Sequence, residues 1–349
     1  MVTQFEFSLG PARKAFELED YYIWDCSVIK AEGKYHMFSS RWPKEYGFGW
    51  NWLFNSEIIH SVSDTPEGPY CFCNVVLKRR SREYFDGMNT HNTCIRYYRG
   101  KYYLYYMGCT YDGDIPTNMI QIDEERAEEV WNKKRIGLAV ADSINGEFIR
   151  GDKPLLEPRD NSHWDCTVTT NPSVVILPDG KTYMIYKSRS KRGGTLKLGL
   201  AYAEHPEGPF KRLCDEPLFR FDDPDLHVED PTLWYDETRK KFCLIAKDDC
   251  HNGSPGITGE WGNGFYAESD DCVNFEIADP PTVYTRHCHW QDGHESVQNN
   301  LERCSLLFGE DGTPAYMFFA SGDGPRPYIF DKTYIICNKL YKKQKEGQL

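Results

Sequence analysis

The sequence predicts an all-β chain folded as a five-bladed β-propeller, with mostly four-stranded antiparallel blades around a central pocket. Three observations predict it. A two-strand unit recurs five times, as WDCSVIKAEGKYHMFSSR (24–41), HNTCIRYYRGKYYLYYMG (91–108), TNPSVVILPDGKTYMIYKSR (170–189), EDPTLWYDETRKKFCLIAKD (229–248) and ERCSLLFGEDGTPAYMFFASG (302–322). A second unit follows most of these, as IIHSVSDTPEGPY (58–70), IGLAVADSINGEF (136–148), LGLAYAEHPEGPF (198–210) and GFYAESDDCVNFE (264–276). Helix is scarce, and the best candidate is the charged stretch DEERAEEVWNKKR (123–135), which reads as a solvated insertion.

Each first unit runs from a polar entry into an apolar strand, then a short turn, then an aromatic strand. The turns EGK, RGK, PDGK and EDG carry the glycine or charge that a tight hairpin needs. Each second unit is a strand of small and apolar residues ending in a Ser/Asp/Pro/Gly turn. Two such units make about four strands, and fivefold recurrence fits a radial array that leaves only short sheet edges. The late run TYIICNKL (333–340) reads as a strand that completes a blade. A β-sandwich with long loops would explain neither the fivefold recurrence nor the doubled motif. The chain is therefore expected to be one propeller domain over 1–349, with inner strands beginning near 26, 93, 172, 231 and 304.

Length and charge bound the function. A chain of 349 residues can bury a sizeable core. The net charge of -12 and the lack of a basic stripe argue against a nucleic-acid partner. No apolar run approaches the ~18 residues of a membrane span. The opening MVTQFEFSLGPARKAFELED has no basic-then-apolar leader, so a cytoplasmic location is expected. The thirteen cysteines are then expected to be reduced and mostly buried. The CFC at 71–73 has strand spacing and not that of a zinc knuckle, so no structural metal is expected.

In a propeller the first strand of each blade lines the channel. Aligning the repeats places Asp25, Asn92, Asn171, Asp230 and Arg303 in one column, preceded by Trp24, His91, Thr170, Glu229 and Glu302. Asp25, Glu229, Asp230 and Glu302 should therefore gather at one mouth. Carboxyl groups crowded together spread their pKa values, which suits acid/base work. The pentapeptide WDCTV (164–168) repeats WDCSV (24–28) but lies six residues before Asn171, so Asp165 either overhangs the mouth or caps a turn. The loop RWPKEYGFGWNWLFN (41–55) offers Trp42, Trp50 and Trp52 for stacking on sugar rings, or for packing blade one on blade two. His91, Lys187, His251, His294 and Arg303 are candidate partners for substrate hydroxyls or charged groups.

The inner strands NPSVVILPDGKTYMIYKSR, EDPTLWYDETRKKFCLIAKD and LERCSLLFGEDGTPAYMFFASG resemble those of the five-bladed propeller glycoside hydrolases, family 43 and its relatives in families 32, 62, 68 and 117. The resemblance spans about residues 20–340. From family 43 it implies an Asp base in blade one, matched by Asp25, and a Glu acid in blade four, matched by Glu229. The blade-three Asp of that family is replaced by Asn171. From family 117 it implies an acidic set resembling Asp25, Asp230 and Glu302 and a nearby His acid, for which His294 is the nearest upstream candidate.

The expected activity is exo-acting hydrolysis of short oligosaccharides by an inverting, two-carboxylate mechanism with Asp25 as general base. Glu229 is the first choice of acid and Glu302 or His294 its rivals, across a gap of roughly 6.5–9.5 Å. Asp230 would hold sugar hydroxyls. Two alternatives share the fold. A glycoside phosphorylase would use Arg41, Lys187 and Arg303 for phosphate, and an inactive propeller would bind sugar without turnover. No cofactor is expected, with a divalent cation in the central channel left open. The expected partner is an oligosaccharide, with a homodimer also left open.

Overall fold

The repeats fold into five antiparallel sheets of four strands each, and the computed structural model describes residue 2 and residues 4–343. Blade one comprises Tyr21–Ala31, Lys34–Pro43, Glu57–Ser63 and Cys71–Leu77. Blade two comprises Asn89–Tyr98, Lys101–Cys109, Arg135–Ala141 and Ile149–Arg150. Blade three comprises Thr170–Ile176, Thr182–Ser188, Lys197–Ala203 and Lys211–Arg212. Blade four comprises Val228–Asp236, Lys241–Asp248, Gly264–Ser269 and Glu276–Tyr284. In each, the first sequence unit supplies the inner pair and the second supplies the third strand.

Blade five is assembled from both ends of the chain. Glu302–Phe308 and Pro314–Asp323 pair with Lys332–Lys342, and the outermost strand is Phe7–Glu17. Phe7 registers with Lys342 and Glu17 with Tyr334. This pairing ties the ring shut and covers an edge that would otherwise be open. The opening residues carry no local sign of it, because their partner strand is distant in sequence.

The inner strands begin a few residues before the expected positions. Pairing with the second strand continues on both sides of a one-residue bulge, which falls between Trp24 and Cys26, His91 and Cys94, Thr170 and Ser173, Glu229 and Thr232, and Glu302 and Ser305. Side chains just past the bulge join neighbouring blades. Ser27 accepts from Ile95 N at 3.0 Å, Ser173 accepts from Leu233 N at 2.8 Å, and Thr232 donates to Cys304 O at 2.5 Å. Each of these bonds satisfies a buried polar group on the edge of an inner strand that has no further strand beside it in its sheet.

A second device repeats on the outer side of blades two and three. Asp86 is fully buried and accepts from Arg80 Nε at 2.6 Å, Tyr106 OH at 2.7 Å and Arg150 Nη1 at 3.1 Å. Asp165 is equally buried and accepts from Arg159 Nε at 2.6 Å, Tyr186 OH at 2.7 Å and Arg212 Nε at 2.5 Å. Each Asp thus clamps its approach loop to the second and fourth strands. The tyrosine ring needs a glycine on the third strand, since a Cβ at Gly137 would lie 2.6 Å from Tyr106 and one at Gly199 would lie 2.4 Å from Tyr186. Asp165 is therefore not at the mouth, and the counterpart of WDCTV is FDGM at 85–88, not WDCSV.

The charged stretch at 123–135 is a helix, Glu124–Asn132, capped by Asp123, which accepts from Arg126 N at 2.8 Å. It is more than a solvated insertion. Ala127 and Val130, three residues apart on one face, pack against Leu53, Phe54, Met88 and Tyr111. The helix is thereby held against the 41–55 loop and raises one wall of the pocket described below. The thirteen cysteines are free thiols, nine of them buried. Among the described residues no helix is long and apolar enough to cross a membrane.

Candidate active site

The five bulges set the site. Asp25, Asn92, Asn171, Asp230 and Arg303 all adopt left-handed backbone, with φ of 44, 56, 51, 54 and 56°. Asp and Asn tolerate this conformation best among residues with a Cβ, and four of the five positions hold one. The column side chains form a linked ring around the axis. Asp25 Oδ2 accepts from Ser40 Oγ at 2.8 Å and from Asn92 N at 3.2 Å. With the Asn92 amide turned to the orientation that satisfies both of its neighbours, its nitrogen donates to Asn171 Oδ1 at 3.0 Å and its oxygen accepts from Arg303 Nη2 at 3.0 Å. Asn171 Nδ2 donates to Asp230 Oδ1 at 2.9 Å, and Arg303 Nη1 reaches the same oxygen at 2.7 Å. The positive charge facing the axial carboxylates is therefore the Arg303 guanidinium.

The residue before each bulge points one layer higher. Trp24, His91, Glu229 and Glu302 line a pocket of about 540 Å³, together with Trp42, Trp50, Trp52, Trp131, Lys134, Lys187, Asp249, Arg303 and Tyr328. The expected single cluster of four acids is thus split into two tiers. Glu229 and Glu302 face the pocket, while Asp25 and Asp230 line the narrow channel beneath it.

Asp25 and Asp230 are pushed one way and Glu229 the other. Burial pushes the Asp25 carboxyl up to about 6, against the pull of Arg303 and of its hydrogen-bond donors. Burial likewise raises Asp230, although Arg303 opposes it. Glu229 goes the other way. Burial alone would raise it, but Lys187 and Lys247 outweigh burial and hold it well below the usual carboxylate range. Lys187 donates to Glu229 Oε2 and Lys247 to Oε1 at 3.1 Å. Lys247 also donates to Glu302 Oε1 at 2.6 Å and lies 3.2 Å from Asp249 Oδ1. Burial disfavours the Lys247 ammonium, yet Asp249 and Glu302 keep it protonated. Asn300 and Tyr328 OH also donate to Glu302 Oε1, at 2.9 and 2.8 Å, so the three hydrogen bonds of Glu302 all fall on one oxygen.

Several predicted residues are brought together here. Trp42, Trp50, Lys187 and Arg303 line the pocket, with Trp50 39% exposed at its rim. His91 is present in another capacity. Its Nδ1 meets Ser56 Oγ at 2.8 Å and its Nε2 meets Asp25 Oδ2 at 3.2 Å, so neither nitrogen is open to a substrate hydroxyl. Burial, then Arg303, Lys134 and Lys187, hold its pKa well below the usual range. A neutral ring that donates from Nε2 to Asp25 and accepts from Ser56 satisfies all three groups.

Others lie elsewhere. His294 is exposed on a hairpin outside the pocket, paired with Asp292 at 2.5 Å and stacked on Trp290, and so is removed as a candidate acid. His251 is half-exposed at the rim, 3.3 Å from Asp249 Oδ2. Arg41 donates to Glu57 from Nε and Nη2 at 2.9 and 2.8 Å and stacks on Tyr21, so Arg41, Lys187 and Arg303 form no common phosphate cradle. Among the described residues, His227, Asp249 and His251 are the group whose ligand atoms lie close enough, within 4.8 Å, to hold a metal ion.

Lys247, Asp249, Lys134, Trp131 and Tyr328 escaped the sequence reading. One signal was present for Lys247. The second strands end in YKSR and IAKD, and cross-strand pairing sets Lys187 opposite Thr170 and Lys247 opposite Glu229.

No protein-family sequence model matches the chain, and no curated protein is similar to it in sequence. Solved structures share its fold. Zg3597, a family 117 glycoside hydrolase from the marine bacterium Zobellia galactanivorans, superposes with a TM-score of 0.70 at 15% identity, over 98% of this chain and 92% of that one. BT0996, solved as an RGII complex, gives a TM-score of 0.70 at 14% identity, over 99% and 94%. A thermostable family 43 glycoside hydrolase gives 0.59 at 14%, over 94% and 92%. The resemblance drawn from the inner strands is thus matched by the fold as a whole.

Proposed function

We propose that the chain is a glycoside hydrolase that removes a terminal sugar from short oligosaccharides, by inversion, with Asp25 as general base. The observation that carries this reading is the two-tiered acid set under an aromatic-walled pocket. A pocket of about 540 Å³ lies within the usual range for small ligands, and five indoles in its lining offer faces for sugar rings. Arg303 of the axial ring lines its floor, and its walls come from the 41–55 loop, the 124–132 helix and Tyr328 of blade five. A pocket closed on several sides receives a chain end, which favours exo action.

Asp25 suits a base because burial brings its carboxyl to about 6, close to a neutral working pH. Its Oδ1 carries only the longer contacts, from Thr93 N and Oγ1 at 3.4 Å each, which leaves that oxygen best able to take a proton from water. Glu302 is the better acid. Its Oε2 accepts none of the three hydrogen bonds, whereas both oxygens of Glu229 hold ammonium groups. Glu229 then serves as a fixed negative charge beside the reacting sugar. The family 117 and family 43 names of structural neighbours support the same reaction class.

The test is a panel of aryl glycosides and short plant and algal oligosaccharides, with proton NMR of the first product. A hydrolysed substrate whose product appears with inverted anomeric configuration supports the reading. Retention overturns the mechanism, and binding without turnover across the panel overturns the activity. Glu302→Gln should lose at least about 10²-fold in kcat on substrates with poor leaving groups, and far less on aryl glycosides whose leaving group departs unprotonated.

A further inference from the structure

Resting on the hydrolase reading, we propose that the sugar received by the pocket carries a negative charge, a carboxylate or a sulfate ester, and that Lys134 binds it. Lys134 lies two residues past the end of the wall helix and is only 2% exposed, yet it lines the pocket. Its Nζ lies 3.6 Å from the centre of the Trp131 ring and 5.3 Å from that of Trp52. Among the described residues no hydrogen-bond acceptor or carboxylate reaches that ammonium. The acids of the pocket are already engaged, Glu229 with Lys187 and Lys247, Glu302 with Lys247, and Asp249 with Lys247 and His251.

An unpaired buried ammonium is costly, and a structural lysine would find a carboxylate or carbonyl. The surroundings of Lys134 are instead aromatic and cationic. Burial pushes its pKa well below the usual range, and Lys187, Arg189 and Arg303 add to that. An anion that enters beside Trp52 and Trp131 supplies the missing counter-charge and so favours the ammonium form that burial disfavours. A neutral sugar leaves that deficit in place. An ammonium offers three donors without a fixed plane, so it accepts carboxylate and sulfate alike.

Binding to the full chain can be followed by quenching of tryptophan fluorescence, since two indoles flank the ammonium. The probes are matched pairs at low ionic strength: glucuronate against glucose, galacturonate against galactose, and galactose 6-sulfate against galactose. The charged member of at least one pair should bind about tenfold or more tightly, as expected for a hydrogen bond to a charged group, and the pair that responds tells carboxylate from sulfate. In Lys134→Met the preference should fall to within about twofold, and Lys134→Arg should keep most of it. No preference in any pair, or one that survives Lys134→Met, overturns the proposal. Turnover that requires free inorganic phosphate overturns it too, because the anion is then not on the sugar. Should Lys134→Met fail to fold, the wild-type pairs and Lys134→Arg still decide. The readout needs no catalysis, so an intact preference without hydrolysis would sink the hydrolase reading alone.

Discussion

Asp25 and Asp165 sit in nearly the same pentapeptide, WDCSV and WDCTV, and are used in opposite ways. Asp25 occupies a left-handed bulge on the propeller axis, one layer beneath the pocket, with its carboxyl pushed up by burial to about 6. Asp165 lies on an approach loop, buried between two arginines and a tyrosine. Burial raises its carboxyl, but Tyr186, Arg159 and Arg212 together bring it below the usual value. The first is a carboxylate the fold carries at a cost in stability. The second is a carboxylate on which the fold depends. What separates them is the placement of cations around each, and that placement comes from other blades.

The largest expected effect is on rate. Asp25→Asn should lower kcat by at least about 10²-fold while sugar binding, read by fluorescence titration, survives. Activity within threefold of wild type would erase the distinction between the two aspartates. Asp165→Asn should do the reverse. It leaves Arg159 and Arg212 buried without their shared counter-charge, so denaturant unfolding should show a loss of about 3–5 kcal/mol, with kcat of the folded fraction unchanged. Asp86→Asn should behave like it, since the clamp is the same.

Stability against pH sharpens the contrast. Asp25 has a raised folded-state pKa, so its ionised form disfavours the native state, fully above about 6 and not at all below the unfolded value of 3.8. A rise of that size is worth about 3 kcal/mol, and Asp25→Asn should therefore be more stable than wild type at pH 8 by up to about that amount. Asp165 has a lowered pKa, so its contribution is present above about pH 4 and is lost as pH falls through the folded value. Parallel melts of the two Asn variants from pH 4 to 8 should diverge, and parallel curves would refute the assignment of charge states.

The smallest effect concerns the glycine that belongs to the clamp. Gly199→Ala places a methyl group 2.4 Å from the Tyr186 ring and should cost about 1–3 kcal/mol in urea unfolding, without touching kcat. A neutral outcome would mean that the tyrosine can move without releasing Asp165.

Much of this was legible in the chain. The five hairpins and the strands that follow them carry their own turn residues, β-branched runs and periodicity, and these act over a few residues. The column of Asp25, Asn92, Asn171, Asp230 and Arg303 could be aligned for the same reason, and its Asp and Asn content already suits a left-handed backbone. The alignment also separated Asp165 from that column by six residues. By itself, then, the sequence determined the blade count, the inner strands and the residues on the axis.

Only the tertiary structure decided which of those residues reach the pocket and in what charge state. The one-residue bulge rotates Asp25 and Asp230 to one tier and Glu229 and Glu302 to the next, a difference no local pattern marks. Lys247, from a second strand, pairs with three acids at once, and Lys134 and Trp131 arrive on an insertion that looks like solvent-facing charge. The N-terminal strand finds its partner at the opposite end of the chain. The physical reason is common to all of these. Hairpins form from neighbours in sequence, whereas burial, ion pairing and ring closure depend on distances between segments far apart in the chain, and those distances exist only once the five blades have closed.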